Sequence, residues 1–184
     1  MSELEDVVKH SHELAVEMKT GAEDGELIPV MVLGFEGATF PCMMAGIQSG
    51  DLLESVKKAI RHVKATVIPE VEKKEGTVVG KMKWVSVSCD SFVQRLEKLH
   101  DDETIEEAEK RRLKGYLGEH FKAGSPLVAE AIITTGCAPG EQILVTHIYR
   151  YTPVDGYEWE DANYSLSSEG DGDPRWSFES LDAS

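Results

Sequence analysis

The chain has 184 residues, 41 % of them hydrophobic and 29 % charged, with 34 acidic against 19 basic side chains and a formal charge of −15. That length suits one domain with a single core, and the charge argues against binding nucleic acid directly through a broad basic surface. No apolar run approaches the roughly 18 residues of a membrane span, and the acidic first six residues lack the apolar stretch of a secretory signal, so a soluble cytoplasmic protein is expected. Cys42, Cys89 and Cys137 are odd in number and lie far apart, which excludes a disulfide framework or zinc ribbon.

Residues 3–19 read as a helix, with Leu4, Val7, Val8, Ser11, Leu14, Ala15 and Met18 on one stripe. Residues 27–36 and 38–45 read as a hairpin of two strands, in which Pro29 points to a strand's start or an edge and Pro41 to an edge or bulge. A second helix is predicted over 51–64, with Asp51 and Glu54 as a capping box. Pro69 lies beyond its end, and a charged connection follows over 70–81. Residues 82–89 alternate as a third strand, Val85, Val87 and Cys89 facing one way and Trp84, Ser86, Ser88 and Asp90 the other. A weaker helix follows over 103–121, and strands over 127–135 and 142–152 form a second hairpin around Pro139-Gly140. The order α-β-β-α-β-α-β-β predicts an α/β (α+β) domain with three helices on a mixed sheet of about five strands.

Charge divides the chain unevenly. Residues 153–184 hold nine acids and one base, Arg175. They are expected to form an acidic, disordered tail outside a folded domain of residues 1–152.

The element order over residues 3–152 is similar to that of the cytidine-deaminase-like fold. That family places His or Cys two residues before Glu at the start of its second helix, and Pro-Cys-x-x-Cys at the start of its third. Here the second helix opens Asp51-Leu52-Leu53-Glu54, and Pro41-Cys42 has no second cysteine, so the zinc chemistry does not follow. The run from Trp84 to Phe92, an apolar strand ending in Asp-aromatic, resembles uncharacterised small α/β proteins of bacteriophages and their bacterial hosts, with residues 127–159 as the matching hairpin. This second resemblance implies no activity.

Asp90, at the end of an apolar strand, is the best single candidate for a reacting group. His10 and His12 lie about 160° apart on a helix and read as surface residues that do not share a metal. His120 reads as a core histidine, and His147 as packed or partly exposed on the last strand beside Val145 and Tyr149. No cofactor or metal is expected. For a partner, two surfaces stand out: the basic face of Lys57, Lys58, Arg61 and Lys64, on which the acidic tail could dock, and the tail itself, interrupted by Trp159, Tyr164, Trp176 and Phe178. The preferred expectation is a non-catalytic interaction or accessory protein. The alternatives are a small hydrolase or transferase with its site near Asp90, and an acidic mimic of DNA. Oligomeric state is not legible.

Overall fold

The computed structural model describes residues 2–22, 27–45, 52–94, 128–168 and 176–184. The predicted helix over 103–121, His100, His120 and the cap at Asp51 lie outside them. The elements in chain order are α1 (Glu3–Gly21), β1 (Val30–Phe35), β2 (Thr39–Met43), α2 (Leu52–His62), a π-helical turn (Val63–Val67), α3 (Ile68–Glu75), β3 (Met82–Gln94), β4 (Val128–Ala138), β5 (Glu141–Thr152), β6 (Gly156–Trp159), β7 (Asn163–Ser168) and α4 (Phe178–Asp182). The strands form one sheet in the order β2-β1-β3-β4-β5-β6, with β7 also on β5.

The α+β class is as expected, but the sheet has seven strands, and every pairing among the described residues is antiparallel. Tight connections dictate the β1–β2, β4–β5 and β5–β6 pairings, since a short turn can only reverse the chain. Ala138 pairs with Glu141 across Pro139-Gly140, where Gly140 takes φ 72, the left-handed conformation that suits glycine at the third position of a turn. Pro41 falls on β2, an edge strand, where its missing N–H does least harm.

The sheet is covered on both faces. Leu4, Val8, Ser11, His12, Ala15 and Lys19 of α1 are buried against one face, Leu4 and Val8 packing with Trp84, Ile143 and Val145. Val8 comes so close that a Cβ on Gly136 would lie 2.1 Å from its Cγ2, so only glycine fits there. On the opposite face, Met31, Leu33, Val85, Val87 and Cys137 pack with Val56 and Ile60 of α2. The two-faced alternation read along β3 therefore has a layer on each side.

Three expectations need correction. The second helix does not stop at residue 64. It continues through a π turn into α3, with Pro69 in the first turn and Gly76 (φ 67) as the C-cap. Widening the helix ahead of Pro69 relieves the clash that a proline ring makes with the carbonyl four residues earlier. The buried stripe of α1 includes His12 and Lys19, while Leu14 is exposed, because polar side chains of the sheet lie beneath its second half. Last, residues 153–168 and 176–184, the described parts of the expected tail, are not set apart from the domain.

Residues 156–168 supply β6 and β7, and α4 buries Phe178 and Leu181 in the same cluster as Val56 and Ile60. Ser177 caps α4 by accepting from the Ser180 N–H, and the Cys137 thiol donates to the Trp176 carbonyl. Composition concealed this because the acids sit between the apolar anchors: Glu179 is exposed, while Phe178 and Leu181 face inward. Replacing Leu181 with alanine should destabilise the protein by about 3 kcal/mol, as removal of a buried leucine side chain generally does. Urea unfolding measures this, and an unchanged midpoint would mean that α4 is dispensable.

Candidate functional site

The polar side chains of the sheet gather under α1, where β3, β4 and β5 lie side by side. Register sets the arrangement. Ser88 is level with Thr134 and Val145, and Asp90 with Ile132 and His147. Glu130 is level with Tyr149, which in turn pairs with Trp159.

Asp90 lies within β3 and is occupied from two sides. The Lys19 ammonium forms an ion pair with its Oδ2, and the Tyr149 hydroxyl donates to its Oδ1 at 2.7 Å. The Lys19 Nζ also sits 5.0 Å from the centre of the Tyr149 ring, a cation–π distance. Lys19 is only 6 % exposed, a degree of burial that an ammonium tolerates only with such partners. Burial first, and then the hydrogen bond to Asp90, push the Tyr149 phenol well above its ordinary range. It is a fixed hydroxyl donor at any physiological pH.

Two turns earlier on α1, a chain of hydrogen bonds runs through the interior. Ser88 Oγ donates to the Ser11 carbonyl at 3.4 Å and meets Thr134 Oγ1 at 2.9 Å. Thr134 Oγ1 meets His12 Nδ1 at 2.9 Å, and His12 Nε2 meets His147 Nδ1 at 3.1 Å. A carbonyl can only accept, so the Ser88 proton is committed and Thr134 must donate to Ser88. His12 Nδ1–H then donates to Thr134, and His147 Nδ1–H donates to His12 Nε2. One carbonyl thus sets the tautomer of both rings. Burial first, and His147 second, push His12 down to about 4, which keeps it neutral.

The expectation that His12 lies at the surface is therefore overturned: it is 2 % exposed. His10 is exposed, as is His62. The signal for His12 was present in its spacing, four residues after Val8 and seven before Lys19, but it reads as a buried position only once the hydroxyls of Ser88 and Thr134 are known to face it. His147 also packs on Trp159 with ring centres 4.7 Å apart. Among the described residues no group of three or more His, Cys, Asp or Glu gathers in a way that could hold a metal.

Beyond the C-terminus of α1 the same sheet face continues as an aromatic surface. Tyr149 and Trp159 lie 5.1 Å apart, Tyr157 and Trp159 are stacked at 5.8 Å, and Tyr151 meets Tyr157 at 4.9 Å. Tyr149 is buried, Tyr157 and Trp159 are half-buried, and Tyr151 is 53 % exposed. Sequence reading noticed Trp159 but missed the tyrosines, which meet it only through β5–β6 pairing.

The other candidates are dispersed. Lys64, in the turn that continues the basic helix, pairs with Asp182 of α4 at 2.8 Å. Lys57 lies 4.0 Å from Glu54, and Lys58 and Arg61 are exposed. Trp176 packs against the core cluster that includes Phe178 and Leu181. Burial raises the thiols of Cys42, Cys89 (to about 11) and Cys137 (to about 12), so all three are poor nucleophiles. No helix among the described residues is long and apolar enough to cross a membrane.

Two outcomes follow from the interior bonds. Asp90→Ala leaves the Lys19 ammonium buried without its carboxylate and should cost roughly 3 kcal/mol. Adding Lys19→Met should recover a large part of that loss in denaturant titrations, whereas strictly additive losses would show the two residues to be uncoupled. For His12, the unfolded chain takes up a proton near pH 6.5 and the folded chain only near pH 4. Its contribution is thus present above pH 6.5 and is lost as pH falls through that window, by on the order of 2–3 kcal/mol. Urea unfolding at pH 7.5 and 4.5 should show a shallower acid loss in His12→Gln than in the unaltered protein, and equal slopes would contradict the neutral ring.

No protein-family model matches the chain, and neither the curated proteins nor the solved structures yield a match. The functional reading rests on the geometry alone.

Proposed function

We propose that this is a non-catalytic, intracellular accessory protein that acts by binding another protein. The engagement of Asp90 carries this reading. A general base or nucleophile needs a lone pair directed at substrate, and the two carboxylate oxygens of Asp90 are directed at Lys19 and Tyr149. The partners that would assist it are committed in the same way. His12 is held neutral between Thr134 and His147, and the nearest cysteine along the strand, Cys89, stays a thiol. Such a network gives rigidity and places α1 on the sheet.

What the fold leaves at its surface favours binding. Tyrosine and tryptophan are enriched at the centres of protein interfaces because they add large contact area at low entropic cost. Tyr151, Tyr157 and Trp159 form such a face on paired strands.

The reading is tested by comparing the full chain with Asp90→Asn on chromogenic ester and phosphate substrates, with circular dichroism as the control for folding. Turnover should be at background in both. In parallel, a photo-crosslinking residue at position 151 should capture a discrete protein in cells, and the same residue at position 58 should not. Turnover that disappears in a folded Asp90→Asn chain would replace this reading with the hydrolase or transferase alternative.

A further inference from the structure

We infer that the aromatic face formed by Tyr151, Tyr157 and Trp159, together with Glu130, binds an arginine- or lysine-bearing segment of a partner protein. The inference rests on the binding role proposed above and adds the chemistry of the partner.

Ring geometry comes first. Tyr151 and Tyr157 are opposed across β5 and β6 with centres 4.9 Å apart and planes tilted by 47°. Trp159 continues the row, its plane 23° from that of Tyr157. Side chains two apart on a strand share a face, so Tyr149 and Tyr151 on one strand and Tyr157 and Trp159 on the other present their rings on the side that α1 covers further along. Clustered ring faces with an open side are the arrangement that receives an ammonium or guanidinium group.

The same cluster already receives one cation. At its buried end the Lys19 ammonium lies 5.0 Å from the centre of the Tyr149 ring and is neutralised by Asp90. The exposed end repeats the elements of that site. Tyr151 and Tyr157 stand where Tyr149 stands inside, and Glu130, exposed and level with Tyr149 across the β4–β5 ladder, offers the carboxylate. The negative charge of Glu130 is felt at this face, since it contributes to holding the Tyr149 phenol protonated.

Charge selects among occupants. Exposed aromatic rings on a sheet also suit single-stranded nucleic acid, but those sites lie in positively charged grooves that follow the phosphates. Here the chain carries −15, and the one basic residue of β5, Arg150, lies level with Glu158 on the opposite face of the strands. Asp155, in the turn between β5 and β6, binds Thr152 through its carboxylate and its N–H, which stiffens the turn and holds the two strands in place. A phosphate backbone would be repelled and a basic peptide attracted.

The test uses the full chain, isotopically labelled, and the peptide acetyl-Gly-Arg-Gly-Arg-Gly-amide in near-physiological salt, followed by NMR. Amide shifts should change at Glu130 and over residues 149–159, and remain still along α2. Tyr151→Leu, at an exposed position, should weaken binding roughly three- to tenfold. Glu130→Gln should weaken it as well, Glu158→Gln on the opposite face should not, and the uncharged citrulline analogue of the peptide should not bind. Shifts spread over every acidic surface, equal binding by the citrulline peptide, or a preference for a single-stranded oligonucleotide would each overturn the inference. If position 151 still crosslinks to a protein while the arginine peptide fails, the binding role stands and only the chemistry assigned to its partner falls.

Discussion

The Lys19 ammonium, buried between α1 and the sheet, must be neutralised from within, and this requirement governs the placement of α1. Asp90 is one of ten consecutive paired positions of β3 against β4, and Lys19 and Tyr149 satisfy it from two different elements. To bring the ammonium there, α1 must cross the sheet with its last turn over β3 and β5. That placement sets what lies beneath the preceding turns: His12 over Thr134 and His147, and Val8 against Gly136. Ion pair, imidazole chain and apolar contact along one helix are thus consequences of a single register. A buried pair of this kind adds little net stability compared with apolar residues; its effect is to exclude other placements of the helix.

The second face of the sheet is organised on an opposite basis. Beneath α2 the interior is apolar, and it is completed by Phe178 and Leu181, which arrive from the end of the chain. Closure there depends on area removed from water, without directional bonds. Lys64 and Asp182 join the continuation of α2 to α4 at the rim, where an exposed ion pair contributes little energy and mainly fixes orientation. One face is specific and the other adhesive. Asp90, His12 and His147 belong to the specific face, and their bonds hold α1 to the sheet. Past the end of α1 the same face continues as the aromatic row of Tyr151, Tyr157 and Trp159.

Periodicity made much of the fold legible before any coordinates. The helix of α1, the alternation of β3 and the Pro139-Gly140 reversal depend on neighbours a few residues apart, so local pattern was sufficient. Charge was the misleading guide. Nine acids in residues 153–184 pointed to a tail, yet Phe178 and Leu181 are buried beside exposed Glu179, and residues 156–168 pair into the sheet; a net sum takes no account of which side chains face inward. His12 was hidden for a related reason: it lies at the margin of the buried stripe of α1, and it is buried because hydroxyls, not methyl groups, await it.

Sequence alone determined α1, the start of α2, the strands β1 to β5 and their two hairpin reversals, because each follows from backbone sterics and short-range hydrophobic spacing. Tertiary structure decided the rest: that His12 meets His147 across 135 positions of chain, that Asp90 meets Lys19 across 71, and that Tyr151 and Trp159 share one surface with Tyr157. Those meetings depend on strand register and on the path of α1 over the sheet, quantities that no single segment contains. A polar residue becomes site, strut or surface according to what lies opposite it, and only the assembled fold places anything opposite.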